Sequence, residues 1–259
     1  MHLEIITRRP AGQPRPAPLL FVHGAWHGAW CWDEHFLPYF ADHGYEAHAL
    51  SLRGHGKSAG NVRWASALNY VTDVEQVARS LPRPPVVIGH SMGGYVVQKY
   101  LEQNRAPAAV LLAPIPSFGI LPFLLRLLRH DPLALLKSLL QLNPYPIIGS
   151  PERVRRYFFS DLPPAAIQTY FERMQSESFR MVLDASLLNL PRPVRVTAPM
   201  LVMGAANDAV FPQREVITTA QTYGARAEIF PDMAHDMMLE PGWQSVADRI
   251  LAWLAERDL

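Results

Sequence analysis

Five consecutive residues, Gly89-His90-Ser91-Met92-Gly93, match the pattern G-x-S-x-G. They follow the β-branched run Val86-Val87-Ile88 and precede apolar residues at helical spacing, which predicts a strand, a sharp turn and a helix. In such a turn a serine hydroxyl is exposed at the tip, and the amino end of the helix favours negative charge beside it. The motif therefore predicts that Ser91 is a nucleophile for covalent acyl chemistry. The alternative is a tight turn with an idle serine.

A serine hydroxyl becomes a strong nucleophile only when a base, usually a histidine held by a carboxylate, removes its proton. His235 and Asp208 each come just after a predicted strand, so both are expected at the sheet edge that carries Ser91. The alternatives are a helix-start aspartate and a solvated loop histidine. Asp232 and Asp184 are weaker candidates for the acid, because no strand directly precedes either. The sequence predicts a triad in the chain order Ser, Asp, His.

Acyl transfer also passes through an oxyanion, which needs hydrogen-bond donors. The Met92 N–H, at the start of the predicted helix, is one donor. The loop that follows the predicted strand Leu19–Val22 begins His23-Gly24-Ala25 and supplies a second. The Ala25 N–H is the first choice for that donor, and the Trp26 N–H is a weaker one. We therefore predict an oxyanion hole formed by Ala25 and Met92.

The other histidines near this edge are interpreted as structural. His23, His55 and His90 each lie in a glycine-containing loop, where an imidazole can satisfy backbone groups. His23 and His27 have the spacing of a shared helical face, but the glycine-rich loop around them argues against a metal site. The single cysteine, Cys31, excludes an intramolecular disulfide and a cysteine-based metal cluster. No metal and no organic cofactor is expected.

The elements that must position these residues alternate between strand and helix. This order predicts an α/β fold with a mostly parallel, doubly wound sheet, and a helical cap inserted after the sixth strand. Residues 1–113 and 194–259 are expected to form the core domain, and residues 114–193 the cap. That stretch holds 11 of the 24 prolines, which favours short helices broken by turns.

Composition excludes several classes of protein. The chain has 259 residues, of which 49% are hydrophobic and 18% charged, as is typical of a globular protein. A net charge of +1 gives no electrostatic footprint for nucleic acid. The amino terminus lacks a secretory signature, and no run of 18 uncharged apolar residues occurs. A cytoplasmic protein without nucleic-acid partners is the expectation.

At this point the chain resembles an α/β-hydrolase-fold serine hydrolase. The resemblance covers almost the whole length and rests on the His23-Gly24 loop, the Arg53–Ser58 loop, the serine turn at 89–93, Asp208 and His235. The family usually carries aspartate where this chain has Ser51. What the resemblance implies is hydrolysis through an acyl-enzyme on the triad residues named above.

The segment from His23 to Trp32 is also similar to plant methylesterases and hydroxynitrile lyases. The lyases place threonine where this chain has Gly24, and lysine where this chain has Asp236. Both differences favour hydrolysis. Dehalogenases and epoxide hydrolases of the fold use an aspartate nucleophile, so Ser91 argues against them.

The substrate is indicated only by the cap. Leu121, Leu124, Leu125 and Leu128 recur on one face of a predicted helix, and a second apolar helix spans Leu133 to Leu142. One interpretation is that these faces pack on the core. The other is an acyl-chain tunnel or a lid in transient contact with lipid surfaces, as in monoacylglycerol lipase-like relatives. On the second interpretation the four leucines and Trp26 bind substrate.

The expected activity is a serine carboxylic ester hydrolase acting on a small hydrophobic acyl or aryl ester. The same triad serves thioesterases, carbon–carbon bond hydrolases and perhydrolases, which stay open as alternatives. A ligand receptor that retains the pocket but scarcely turns over is the alternative from another class.

Overall fold

The computed structural model describes residues 1–259 and is built on one seven-stranded sheet. The strand order is β1-β3-β2-β4-β5-β6-β7, and only β1 runs antiparallel to its neighbour. The mostly parallel α/β architecture is thereby confirmed. The strands are β1 Ile5–Arg8, β2 Leu19–Val22, β3 Ala47–Leu50, β4 Val86–His90, β5 Ala109–Leu112, β6 Met200–Ala205 and β7 Ala227–Phe230.

Helices cover both faces of the sheet, because every residue of β2, β3, β4 and β5 is buried. On one face the Phe21 ring packs against Trp32, Phe36 and Phe40, at centroid distances of 5.0, 6.2 and 5.6 Å. The helices outside the long insertion are α1 Trp30–Asp33, α2 Phe36–Asp42, α3 Ala67–Ser80, α4 Met92–Tyr100, α10 Gln213–Thr222 and α11 Trp243–Ala255. None of the helices has both the length and the apolar character that crossing a membrane requires.

Residues 114–193, here called the helical segment, lie between β5 and β6. The helical segment therefore follows the fifth strand, and the predicted position after the sixth strand is wrong by one. Only β1 precedes β2, because the proline-rich stretch between these two strands forms no strand. The division into core domain and cap stays a prediction. The segment contains α5 Leu121–His130, α6 Pro132–Gln141, α7 Pro151–Phe158, α8 Pro164–Arg173 and α9 Phe179–Leu183, joined by turns.

Three prolines of the helical segment begin α-helices. Pro132, Pro151 and Pro164 each occupy the first position of a helix, where the missing N–H leaves no bond unmade. Side-chain caps complete two of these starts, since Asp131 accepts from the Ala134 N–H and Ser150 from the Arg153 N–H. The expected short helices are therefore present, and prolines and capping side chains fix where three of them begin.

Candidate active site

Ser91 occupies the turn between β4 and α4 in a conformation that few side chains adopt, with φ 52° and ψ −115°. Two close backbone approaches impose this turn. A Cβ at Gly89 would lie 2.4 Å from the Gly93 carbonyl oxygen, and a Cβ at Gly93 would lie 2.2 Å from the Val22 carbonyl oxygen. Only glycine fits at either position, so the G-x-S-x-G spacing is a packing requirement of the strand, turn and helix.

Gly93→Ala is expected to reduce the free energy of unfolding by about 3 kcal/mol or more, because the new methyl group meets backbone rather than a flexible side chain. Gly12→Ala is the matched control, since no atom lies within 4 Å of a Cβ placed there. Urea unfolding of both variants measures the difference. Equal stability of the two would contradict the packing argument.

The structure brings the three predicted triad side chains together. The His235 Nε2 lies 2.9 Å from the Ser91 Oγ, and the His235 Nδ1 lies 2.8 Å from Asp208 Oδ2. The second Asp208 oxygen accepts the N–H groups of Val210 and Phe211, at 2.7 and 2.8 Å. The carboxylate is thus locked in place and accepts from Nδ1–H. That leaves Nε2 free to accept the Ser91 proton.

The rival acids lie elsewhere. Asp232 is exposed, in a turn with φ 53°. Asp184 is buried in the helical segment, where it accepts from the Ala67 N–H at 2.9 Å and from the Arg180 Nε at 2.9 Å. Neither has a hydrogen bond to His235, so Asp208 alone of the three candidates contacts the base.

Packing makes the surroundings of His235 dry. Rings of Phe158 and Phe211 lie 5.7 and 5.5 Å from its imidazole centroid, and His90 lies on another side at 4.8 Å. Burial opposes the charged imidazolium most strongly, but the charge and hydrogen bond of Asp208, aided by Asp236, outweigh it and raise the pKa of His235. The group therefore has the character of a strengthened base.

His90 and His23 have the structural contacts that the sequence suggested. His90 donates from Nε2 to the His235 carbonyl oxygen at 2.9 Å, and burial, then the neighbouring His235, lowers its pKa to about 3. His23 donates from Nδ1 to the Gly24 carbonyl at 2.7 Å and accepts from the Leu52 N–H at 3.0 Å. Both rings therefore hold backbone groups of the loops around Ser91.

His55 has a partner that sequence reasoning missed. Its Nε2 lies 3.0 Å from the buried Glu177 carboxylate, which also accepts from the Tyr70 hydroxyl at 2.7 Å. Glu177 lies 122 positions along the chain from His55, and no local pattern marks the pairing. The pair joins the loop after β3 to the helical segment.

The N–H groups of the two predicted oxyanion donors, Ala25 and Met92, are free of acceptors within the protein. Met92 is the first residue of α4, so its N–H has no partner within the helix. The Ala25 N–H has no acceptor within the protein. The Trp26 N–H, in contrast, points to a Glu177 oxygen at 3.4 Å. This contact supports the choice of Ala25 over Trp26.

The triad opens onto an apolar cavity of about 160 Å³, bounded by 23 residues of which 17 are hydrophobic. Ser91, His235, Ala25, Met92 and Trp26 all line it. The opposite wall comes mainly from the helical segment and includes Ile115, Phe123, Leu124, Leu135, Phe179 and Val182. The arrangement suits an apolar group attached to a carbonyl that reaches the serine.

Only one of the four predicted substrate leucines lines this cavity. Leu124 does, whereas Leu121, Leu125 and Leu128 point outward, with exposures of 41%, 60% and 54%. Helix α5 carries a second apolar stripe at 120, 123, 124 and 127, and that stripe faces inward. The side chain of Arg126 also reaches inward to Glu215. The prediction was therefore wrong for Leu121, Leu125 and Leu128.

Helix α6 divides in the same way. Leu135, Ser138 and Leu139 line the cavity, whereas Leu133 and Leu140 are exposed and do not line it. The predicted apolar helix is present, but one face of it borders the site. Trp26 lines the cavity as expected.

A family model described as Alpha/beta hydrolase family matches residues 19–249. The chain belongs to the alpha/beta hydrolase family. This alpha/beta hydrolase is 25% identical over 234 residues to a monoacylglycerol lipase from Mycolicibacterium smegmatis, a match covering 85% of this chain and 81% of that protein. It is 37% identical over 103 residues to a non-heme chloroperoxidase from Streptomyces lividans. That second match covers 38% of this chain and 37% of the relative.

Solved structures agree on the fold. A monoacylglycerol lipase from Paleococcus ferrophilus matches this alpha/beta hydrolase with a TM-score of 0.73 at 19% identity, over 99% of this chain and 100% of that one. At this identity the likeness concerns the fold alone. The resemblance seen in the sequence is confirmed at the level of family and fold.

Proposed function

We propose that the protein is a serine carboxylic ester hydrolase acting on esters with a hydrophobic acyl or aryl group. The observation that carries the proposal is the hydrogen-bonded series from Ser91 through His235 to Asp208, which opens onto an apolar cavity. The similarity to a monoacylglycerol lipase over most of both chains supports the same class of reaction.

In the first half of the reaction the Ser91 Oγ attacks the ester carbonyl carbon while His235 Nε2 takes the hydroxyl proton. The carbonyl oxygen becomes an oxyanion, which accepts hydrogen bonds from the N–H groups of Ala25 and Met92. One such donor typically contributes about 3 kcal/mol to transition-state stabilisation. The carbon–oxygen bond to the alcohol then breaks, and His235 returns the proton to the leaving oxygen. The acyl group remains on Ser91.

The second half repeats these steps with water. His235 removes a proton from a water molecule, the resulting nucleophile attacks the acyl carbon, and the same donors stabilise the second oxyanion. Ser91 leaves with the proton from His235, and the carboxylic acid is released. Asp208 stays ionised throughout and stabilises the imidazolium each time it forms.

The cavity wall predicts the chain-length profile. Each methylene buried there should add up to about 0.8 kcal/mol of binding, or roughly fourfold in kcat/KM, until the cavity is filled. Leu124→Ser and Leu135→Ser are expected to flatten this profile while sparing acetate turnover, because both side chains line the cavity and neither touches the triad. Rates across a series of p-nitrophenyl esters provide the measurement.

Leu125→Ser is the matched control, since that side chain lies on the same helix but faces outward. It should leave the chain-length profile unchanged. A uniform drop for all chain lengths with loss of thermal stability would mean that Leu124 and Leu135 only hold the helical segment in place. A wild-type preference for acetate or methyl esters would point to a small-molecule methylesterase instead.

Perhydrolysis is the second candidate, because 112 residues of the chain are 32% identical to a bifunctional esterase/perhydrolase from Acinetobacter calcoaceticus. In that reaction hydrogen peroxide replaces water as the group that attacks the acyl-enzyme, and the product is a peracid. Competition between water and peroxide at a fixed acyl-enzyme concentration discriminates the two activities. A product ratio dominated by peracid at low peroxide would favour this second candidate over hydrolysis.

A further inference from the structure

A buried carboxylate directly follows the predicted base. Asp236 has no solvent exposure, and its Oδ2 lies 3.1 Å from the His27 Nε2. The other oxygen, Oδ1, lies 3.7 Å from the His90 Nε2 and has no hydrogen bond. Burial opposes its ionisation most strongly, but the charge and hydrogen bond of His27, with His90 and His235, lower the pKa of Asp236. The group is therefore an ionised carboxylate that takes no part in the triad.

The ring of His27 lies between two loops. Its Nδ1 lies 2.7 Å from the Ala25 carbonyl oxygen, and its Nε2 lies 3.1 Å from the Asp236 carboxylate. Both side chains are buried, with exposures of 1% and 0%. The His27 ring therefore links the backbone of Ala25 to the carboxylate of Asp236.

A buried contact between a histidine and a carboxylate is weak evidence for a stabilising role by itself, because both groups lose their hydration. The placement of this pair offers another reason for it. Asp236 is adjacent in the chain to His235, and His27 holds the carbonyl of Ala25, the residue chosen as oxyanion donor. The pair joins two loops that are 209 positions apart in the sequence.

We propose that His27 and Asp236 are positioning residues, which together fix the loop of the base His235 relative to the loop of the oxyanion donor Ala25. This inference rests on the proposed ester hydrolysis. Neither residue touches the reacting atoms. His27 acts through its contact with the Ala25 carbonyl, and Asp236 acts through the peptide bond to His235 and through its negative charge. A displacement of about 1 Å in such a constellation can cost 100-fold in rate.

The charged groups around His27 and Asp236 determine how a substitution of either residue would change the pKa of His235. The His235 imidazole contacts Asp208 from the loop after β6, and Ser91 and neutral His90 from the serine turn. Asp236 acts on it through its charge, and Glu177 of the helical segment lines the same cavity. The charge of Asp236 acts on groups from several elements. They are His27, His90, His235, Cys31, Tyr170 and Glu240.

Removal of Asp236 should lower the pKa of His235, because the Asp236 carboxylate helps to raise it.

The test uses Asp236→Asn, His27→Gln and the double variant in the full-length protein. Each single variant is expected to lose about 10- to 100-fold in kcat for a medium-chain p-nitrophenyl ester with little change in KM. The double variant should lose no more than the worse single one, because the two residues act as a unit. In Asp236→Asn the fall of kcat/KM towards low pH, which reports protonation of His235, should also occur at lower pH than in the wild type.

Asp184→Asn is the matched control. Asp184 is a buried carboxylate, but it accepts from the Ala67 N–H and the Arg180 Nε, both at 2.9 Å, and has no hydrogen bond to His27 or His235. This variant should leave the pH dependence of kcat/KM unchanged. A shift of that dependence in Asp184→Asn equal to the shift in Asp236→Asn would overturn the proposal, as would wild-type kcat and pH profile in a folded Asp236→Asn.

A second readout separates this inference from the proposed function. The rate at which a fluorophosphonate labels Ser91 depends on the base and the oxyanion donors but needs no ester substrate. If the wild type labels rapidly without ester turnover, the proposed function fails, and slower labelling of His27→Gln and Asp236→Asn still supports the positioning role. Unchanged labelling rates in both variants overturn it. Thermal unfolding and near-UV circular dichroism identify any variant that does not fold, and the other single variant then decides.

Discussion

Replacement of Ser91 by alanine is expected to lower kcat for ester hydrolysis by about six orders of magnitude. The hydroxyl is the only group that the geometry offers as nucleophile, since its Oγ lies 2.9 Å from the His235 Nε2. Alanine has almost the same shape, so the free energy of unfolding should change little. Steady-state turnover of a p-nitrophenyl ester, with a burst measurement for the acyl-enzyme, gives the effect.

Ser117→Ala provides the comparison for this variant. It removes another buried hydroxyl, one that lies near Thr222 and does not line the cavity. Its turnover should match that of the wild type. If Ser91→Ala kept more than about a tenth of the wild-type rate, another residue would be the nucleophile.

His235→Ala is expected to cost as much as the loss of the nucleophile, about six orders of magnitude in kcat, because the two act as one unit. Asp208→Asn should cost less, about four orders, since an amide at this position favours the wrong tautomer of His235. Both effects are measured as kcat at the pH optimum. Asp232→Asn is the control, because that carboxylate is exposed and asparagine tolerates its positive φ.

The pH dependence follows from the same site. Only the neutral imidazole can take the Ser91 proton, so activity is present above the pKa of His235 and is lost as the pH falls through it. Burial pushes that pKa down, but Asp208 and Asp236 outweigh burial and raise it. The midpoint of the fall in kcat/KM towards low pH should therefore lie above about 6.5.

The two aspartate variants also test the assignment of the acid. Loss of activity in Asp232→Asn, with full activity in Asp208→Asn, would show that Asp232 is the acid of the triad.

The meeting of Ser91, Asp208 and His235 could be predicted from sequence because it needs only topology. The three residues follow β4, β6 and β7, and parallel strands all place their carboxyl ends at one edge. The glycine spacing around Ser91 supplied the remaining local information. Such a site is determined by the order of elements and by one turn, both of which are visible in a linear pattern.

The inward face of α5 could not be predicted in this way. The helix carries apolar residues at 121, 124, 125 and 128 and also at 120, 123, 124 and 127, so helical periodicity fits either face. The groups that meet the second face lie outside the helix: Phe123 packs against Tyr157 and Phe211, and Arg126 reaches Glu215. The pairing of His27 with Asp236 was beyond sequence reasoning for the same reason. Such contacts depend on which distant groups the fold brings together.

The contact between the helical segment and the Trp26 backbone has a mechanical consequence. The Gln175 N–H donates to the Trp26 carbonyl at 2.9 Å, and the Gln175 side chain holds the Gly56 N–H and the Gly54 carbonyl, both at 2.8 Å. A movement that lifted this stretch of the helical segment away from the sheet would pull on the residue next to Ala25. The same hydrogen bonds of Gln175 therefore hold the helical segment over the cavity and the loop that carries the oxyanion donor. If substrate entered by opening this side, the donor would move out of its catalytic position.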